Sequence, residues 1–207
     1  MQNINLKIMK AKLVLVILLP VVLLSSCIVK SLHPFYTEGT VVFLPGLTGS
    51  WVDQDAGKWE IKQSRKKKNA YEIRLSTGAG SALFIAHLFR LDTTLYLDFL
   101  PESDNAPTVD LFNLHLIPSH SLARIRLSGN SFAGIEWLND EWLAELFARN
   151  RVRIKHEAVN DYEDKAEKMY ILTASTEELQ KFILKYGHEP EAFRGKSEVV
   201  MNLKKLP

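Results

Sequence analysis

The sequence predicts an α+β domain that is mainly β: an antiparallel meander of about eight strands with two helices packed outside it. Three observations carry this. Lys58-Trp59-Glu60-Ile61-Lys62 and Tyr71-Glu72-Ile73-Arg74-Leu75 alternate charged with apolar residues, the period of strands that bury one face and wet the other. Turn residues such as Ser128-Gly129-Asn130-Ser131 join later strands at hairpin spacing. Apolar residues at helical spacing behind a capping residue recur near 139–149 and 175–187.

Taken in order, Val41 to Trp51 holds a short apolar run and a glycine turn. Arg65-Lys66-Lys67-Lys68-Asn69 separates the two alternating segments and reads as a hairpin tip. Four charges there suit a solvated turn that discourages edge pairing; contact with anionic headgroups is the functional alternative. Ser81 to Leu91 is a longer strand, apolar on both faces near its start and so covered on both sides there. Leu95 to Leu100 follows a turn, Pro101 to Asp110 is a loop, and Leu111 to Ile117 is a strand ended by Pro118. Leu122 to Leu127 and Phe132 to Trp137 form the next hairpin. Asn139 caps a helix whose first turn carries Asp140 and Glu141, where acids suit the helix dipole. Val152 to Ala158 and Met169 to Thr173 are strands. Ser175 and Glu178 form a capping box before Leu179, Phe182, Ile183 and Tyr186, and Gly187 stops that helix. A last strand falls near Val199 to Leu203.

The start of the chain differs from the rest. Lys7, Lys10 and Lys12 precede a run of about 12 aliphatic residues from Leu13 to Leu24. A spanning helix needs about 20 apolar residues, and this run also contains Pro20. A positive stretch, a short apolar stretch and small residues make a secretory signal peptide. Leu24-Ser25-Ser26-Cys27 resembles the lipobox of bacterial lipoproteins. The resemblance implies cleavage after Ser26, acylation of Cys27, and anchoring of the protein in the cell envelope through those acyl chains. Palmitate is the type of chain expected there. The chain then divides into a signal peptide over 1–26, a lipidated tether over 27–40, and one strand-rich domain over 41–207. Leu32 to Tyr36 is more apolar than a free linker and is expected to dock on the domain, with Pro34 fixing an extended path. Ile28 lacks the aspartate that retains some lipoproteins at the inner membrane, which favours the outer membrane.

Gly49-Ser50-Trp51, just before the alternating strands, resembles the opening motif of lipocalin and calycin barrels. In that family the tryptophan packs across the closed end of the barrel and the glycine turns the chain beneath it. An arginine of the terminal strand covers the tryptophan there, and no arginine of this chain is assigned to that place. The resemblance implies a binding module that takes an apolar molecule inside the barrel, with Trp59, Tyr71, Phe84 and Phe99 as lining. The competing reading is an envelope interaction protein whose barrel is filled by its own side chains.

Enzyme chemistry finds little footing. Cys27 is the only cysteine, so acylation leaves no thiol for a nucleophile, a disulfide or a metal. Val41 to Trp51 also suits the opening strand of an α/β-hydrolase, but no Gly-x-Ser-x-Gly elbow follows, and Gly78-Ala79-Gly80-Ser81 precedes a strand rather than a helix. His115 and His120 with Asp98 or Glu136 are conceivable metal ligands, yet isolated histidines and strand acids fit the pattern better. Asp98 and Glu136 as a glycosidase pair need a defined separation that sequence does not supply. His87 on an apolar face reads as a satisfied core histidine. No phosphate loop or dinucleotide fingerprint is present, so no cofactor is expected. The formal charge of +2 includes the three leader lysines. Without them 23 basic residues face 24 acidic ones, which gives no electrostatic case for nucleic acid.

Overall fold

The computed structural model describes residues 28–102, 115–129, 131–160, 168–193 and 200–206. Ser26 and Cys27 lie outside the described residues, as do Leu111 to Leu114 and Asn130.

The domain is mainly β with two helices. Strand β1 (Lys30–Ser31) comes first, followed by β2 (Gly49–Val52), β3 (Lys58–Gln63) and β4 (Tyr71–Thr77). The long strands β5 (Gly80–Leu91), β6 (Thr94–Glu102) and β7 (His120–Ser128) lead to β8 (Ser131–Trp137). From β2 to β8 each strand pairs antiparallel with the next, as the alternation and hairpin turns predict. Helix α1 (Asp140–Ala148) precedes β9 (His156–Asn160) and β10 (Lys168–Leu172). Helix α2 (Thr176–Tyr186) precedes β11 (Val200–Asn202) and β12 (Lys204–Lys205).

Two pairings go beyond the meander. The edge of β7 away from β6 is shared: β8 takes 123–128, and β1 takes Ser121 and His120. β1 in turn pairs parallel with β10, which pairs with β9. At the other end of the chain, β11 pairs with β8 and β12 pairs with β2, the last and first strands of the meander. Leu203 bridges them by donating its N–H to Ala133 O.

The sheet separates two apolar clusters. On its inner face lie Trp51, Trp59, Ile61, Tyr71, Leu97, Phe99 and Ile135. On the outer face of β5–β7, Phe89, Tyr96 and Leu122 pack against Leu143 and Leu146 of α1 and Leu179 and Ile183 of α2. Both helices form as their caps dictate. Asn139 accepts from the N–H groups of Glu141 and Trp142, and Ser175 and Glu178 make the reciprocal capping box.

Two local expectations change and one holds. The tether docks on the body as its apolar residues suggest: Val29 and Phe35 are fully buried, and Ser31 is in a strand. A hydrophobic pair in a short segment explains this, because burying Phe35 removes a large apolar surface from water. His115 to Ile117 are not in a strand, and Ile117 is 78% exposed. Strand β9 starts at His156, later than its apolar run suggested, because Val152 and Ile154 pack into the helix-side cluster instead.

Candidate ligand cleft

The aromatic rings of the inner face are packed on one another. Trp59, Tyr71 and Phe99 are at most 2% exposed, and Phe84 packs edge-on against Phe99 at 5.9 Å between ring centroids. The polar ends of these rings have structural partners. Trp59 Nε1 donates to Asp53 Oδ2 at 2.8 Å. Tyr71 Oη accepts from Leu44 N–H at 2.8 Å and donates to Leu44 O at 3.2 Å. Gly49 has φ +136°, where a side chain would be strained. Trp51 Nε1 donates to Leu47 O, and Lys205 of β12 lies 5.4 Å above the Trp51 ring.

The outer face is different. Where β5, β6 and the start of β7 meet the 34–41 segment and the 65–69 hairpin, there is a cleft of about 730 Å³. Its floor includes Ile85 and His87 of β5, Leu100 of β6 and His120 of β7. Pro34, Tyr36, Glu38 and Val41 form one wall, and Lys66, Lys67 and Lys68 form the opposite rim. Each part is positioned by the fold. Ser64 Oγ accepts from the N–H groups of Lys66 and Lys67 and shapes the hairpin tip. An ion pair from Lys66 to Glu102 ties that tip to the end of β6.

Asp98 organises the other wall. It sits opposite His87 on β5 and next to β7, and it is 1% exposed. Its Oδ2 accepts the Phe35 N–H at 2.8 Å, and its Oδ1 lies 2.6 Å from His120 Nδ1. One buried carboxylate therefore fixes both the N-terminal wall and a histidine ring. The Tyr36 ring stacks on His87 at 4.2 Å. Burial, reinforced by the Asp98 charge, pushes the Tyr36 phenol up to about 12, so it stays a protonated donor at neutral pH. Burial pushes His87 below the usual imidazole range; Asp98 opposes this, while His120 and Lys67 add to it. His87 is thus neutral near pH 7, with one ring N–H and one lone pair.

The site was only partly visible in the sequence. Asp98 and Glu136 read as solvent-facing strand acids, but both are buried. Glu136 lies 2.6 Å from the Arg124 guanidinium and 3.4 Å from that of Arg126. The two acids are two strands apart and each has its own partner, the His120 ring for Asp98 and the arginines for Glu136, so they do not form a carboxylate pair across a cleft. His115 is exposed and outside the cleft that holds His120. Among the described residues no three His, Cys, Asp or Glu side chains converge to hold a metal. The same-face neighbours two residues away, Tyr96 and Leu100 around Asp98 and Gly134 and Leu138 around Glu136, were the uncharged signal that could have marked these positions as buried.

Ser81 begins the antiparallel hairpin strand β5 rather than a nucleophile elbow. No described helix is long and apolar enough to cross a membrane. The chain matches no protein-family model, and no curated protein or solved structure matches it.

Proposed function

We propose that this is a lipid-anchored, non-catalytic binding protein of the bacterial cell envelope, held by acyl chains on Cys27, with its ligand seated in the outer cleft. The observation that carries this reading is the contrast between the two faces. Buried aromatic rings pack on the inner face, while the outer face has an open volume of about 730 Å³, within the range of small-molecule sites. The same contrast argues against an apolar ligand among Trp59, Tyr71, Phe84 and Phe99.

We further infer that the meander closes into a lipocalin-like barrel through the C-terminal segment. Support comes from the pairing of β11 with β8 and β12 with β2, and from Lys205 over Trp51 behind Gly49. A closed sheet leaves no free edge on the meander and makes it a rigid base for the cleft. The envelope scaffold reading shares this filled interior and differs in leaving the cleft empty.

Mass spectrometry of the full-length protein and of Cys27→Ser tests the proposal. Under denaturing conditions the parent protein carries acyl mass at Cys27, and Cys27→Ser carries none. Under native conditions both retain the same small molecule, because the cleft does not depend on the anchor. Unchanged acylation in Cys27→Ser contradicts the anchor, and a native spectrum free of any bound molecule favours the scaffold reading.

A further inference from the structure

We infer that the cleft recognises a phosphate group carried on an apolar body, with Lys67 and Lys68 at the rim and Tyr36, His87 and His120 deeper in. This rests on the cleft being the binding site and names the chemistry it selects.

The rim has an excess of positive charge. Lys66 is held by Glu102, whereas Lys67 and Lys68 have no carboxylate partner among the described residues. Glu38, the other acid lining the cleft, is in an exposed turn. The cleft lining carries three lysines against two acids, with Asp98 buried behind His120 as a further carboxylate, so the positive excess lies at the rim, where unpaired ammonium groups attract an anion. The ammonium stems are mobile and exposed, which suits point-charge recognition of phosphate by lysine.

Deeper in, the donors are fixed rather than mobile. Asp98 engages Nδ1 of His120 and fixes the ring, whose Nε2 donates to a ligand only when the imidazole carries both protons. Stacking on His87 holds the Tyr36 ring, whose hydroxyl remains protonated at neutral pH. Two ammonium groups carry more charge than one carboxylate neutralises, and a phenol and the His87 N–H lie beside them. A phosphate monoester offers three strong acceptor oxygens and nearly two negative charges. Beside these groups lie Ile85, Leu100 and Val41, an apolar surface next to the polar one. The complementary ligand therefore has a phosphate joined to an apolar part. A lipid headgroup and a soluble phosphate ester share this chemistry.

The test uses the full-length protein in phosphatidylcholine nanodiscs, with the imidazole signals of His87 and His120 followed by NMR. Hexyl phosphate, hexanoate and inorganic phosphate are titrated separately, and a second set of discs contains phosphatidic acid. Hexyl phosphate is expected to shift both histidines saturably and to bind at least tenfold more tightly than hexanoate. Lys67→Ala with Lys68→Ala, both on an exposed tip, should weaken it at least tenfold. Lys181→Ala with Lys185→Ala, the same charge change on α2, should leave it unchanged. Shifts with inorganic phosphate identify a soluble phosphate ligand, and shifts from phosphatidic acid discs identify a lipid headgroup. Hexanoate binding as tightly as hexyl phosphate, or indifference to the Lys67 and Lys68 pair, overturns the phosphate inference and leaves the cleft as a binding site. No response to any probe overturns both.

Discussion

Replacing Trp59 with alanine lowers the unfolding free energy by about 4 kcal/mol, the range for deleting a fully buried large aromatic ring. Trp59 is 2% exposed on β3, directly opposite Trp51 on β2 and Leu75 on β4. Its truncation removes the ring's apolar burial and leaves a void bounded by neighbours fixed in their own strands. It also removes the indole donor to Asp53 Oδ2, while Asp53 Oδ1 keeps the N–H groups of Asp55 and Gly57. Trp59→Phe restores part of the volume but not the hydrogen bond, and should cost about half as much. Urea denaturation of the three proteins measures both. A loss below about 1 kcal/mol for the alanine variant means that the site tolerates a void. That result would return Trp59 to the lining of a ligand cavity.

Asp98→Ala is the second large effect, and it couples stability to the cleft. The substitution leaves the Phe35 N–H without an acceptor in a fully buried place, and His120 without its Nδ1 partner. An orphaned buried donor costs about 1–3 kcal/mol, and breaking a buried charged contact adds to it, so a loss of about 3 kcal/mol is expected. Amide hydrogen exchange should show more than a lower midpoint. Protection of Phe35 N–H falls in Asp98→Ala, and the 34–41 wall loosens with it. Asp98→Asn keeps one carbonyl oxygen for that N–H and should restore much of the protection. Equal protection of Phe35 in the parent and the alanine variant would mean that Asp98 does not hold the wall.

The alternation in β3 and β4 was legible because their side chains report directly on one buried and one wet face. Trp59 and Ile61 do point inward, and Lys58, Glu60 and Lys62 are exposed. The helix caps were legible for a similar reason: Asn139 and Ser175 act on N–H groups within three residues. The cleft was not, because it is assembled from parts far apart in the chain. Asp98 meets His120 across 22 residues and Phe35 across 63, and those contacts depend on strand register. His87 carried a hint, since it interrupts an apolar face, but a sequence does not reveal that Tyr36 will stack on it. The docking of 28–40 was legible in the apolar stretch Leu32 to Tyr36, but its strand pairing was not. A two-residue strand such as β1 has no period to detect, and its position comes from pairing with β7 and β10.

The measurement that tests the account most directly is a crystal structure of the protein under xenon pressure, since xenon occupies apolar voids that water leaves empty. The account predicts no xenon on the inner face of the meander, and any bound atom lying in the outer cleft beside Ile85 and Leu100. Xenon bounded by Trp59, Tyr71, Phe84 and Phe99 would contradict it, and would place the ligand inside the meander instead.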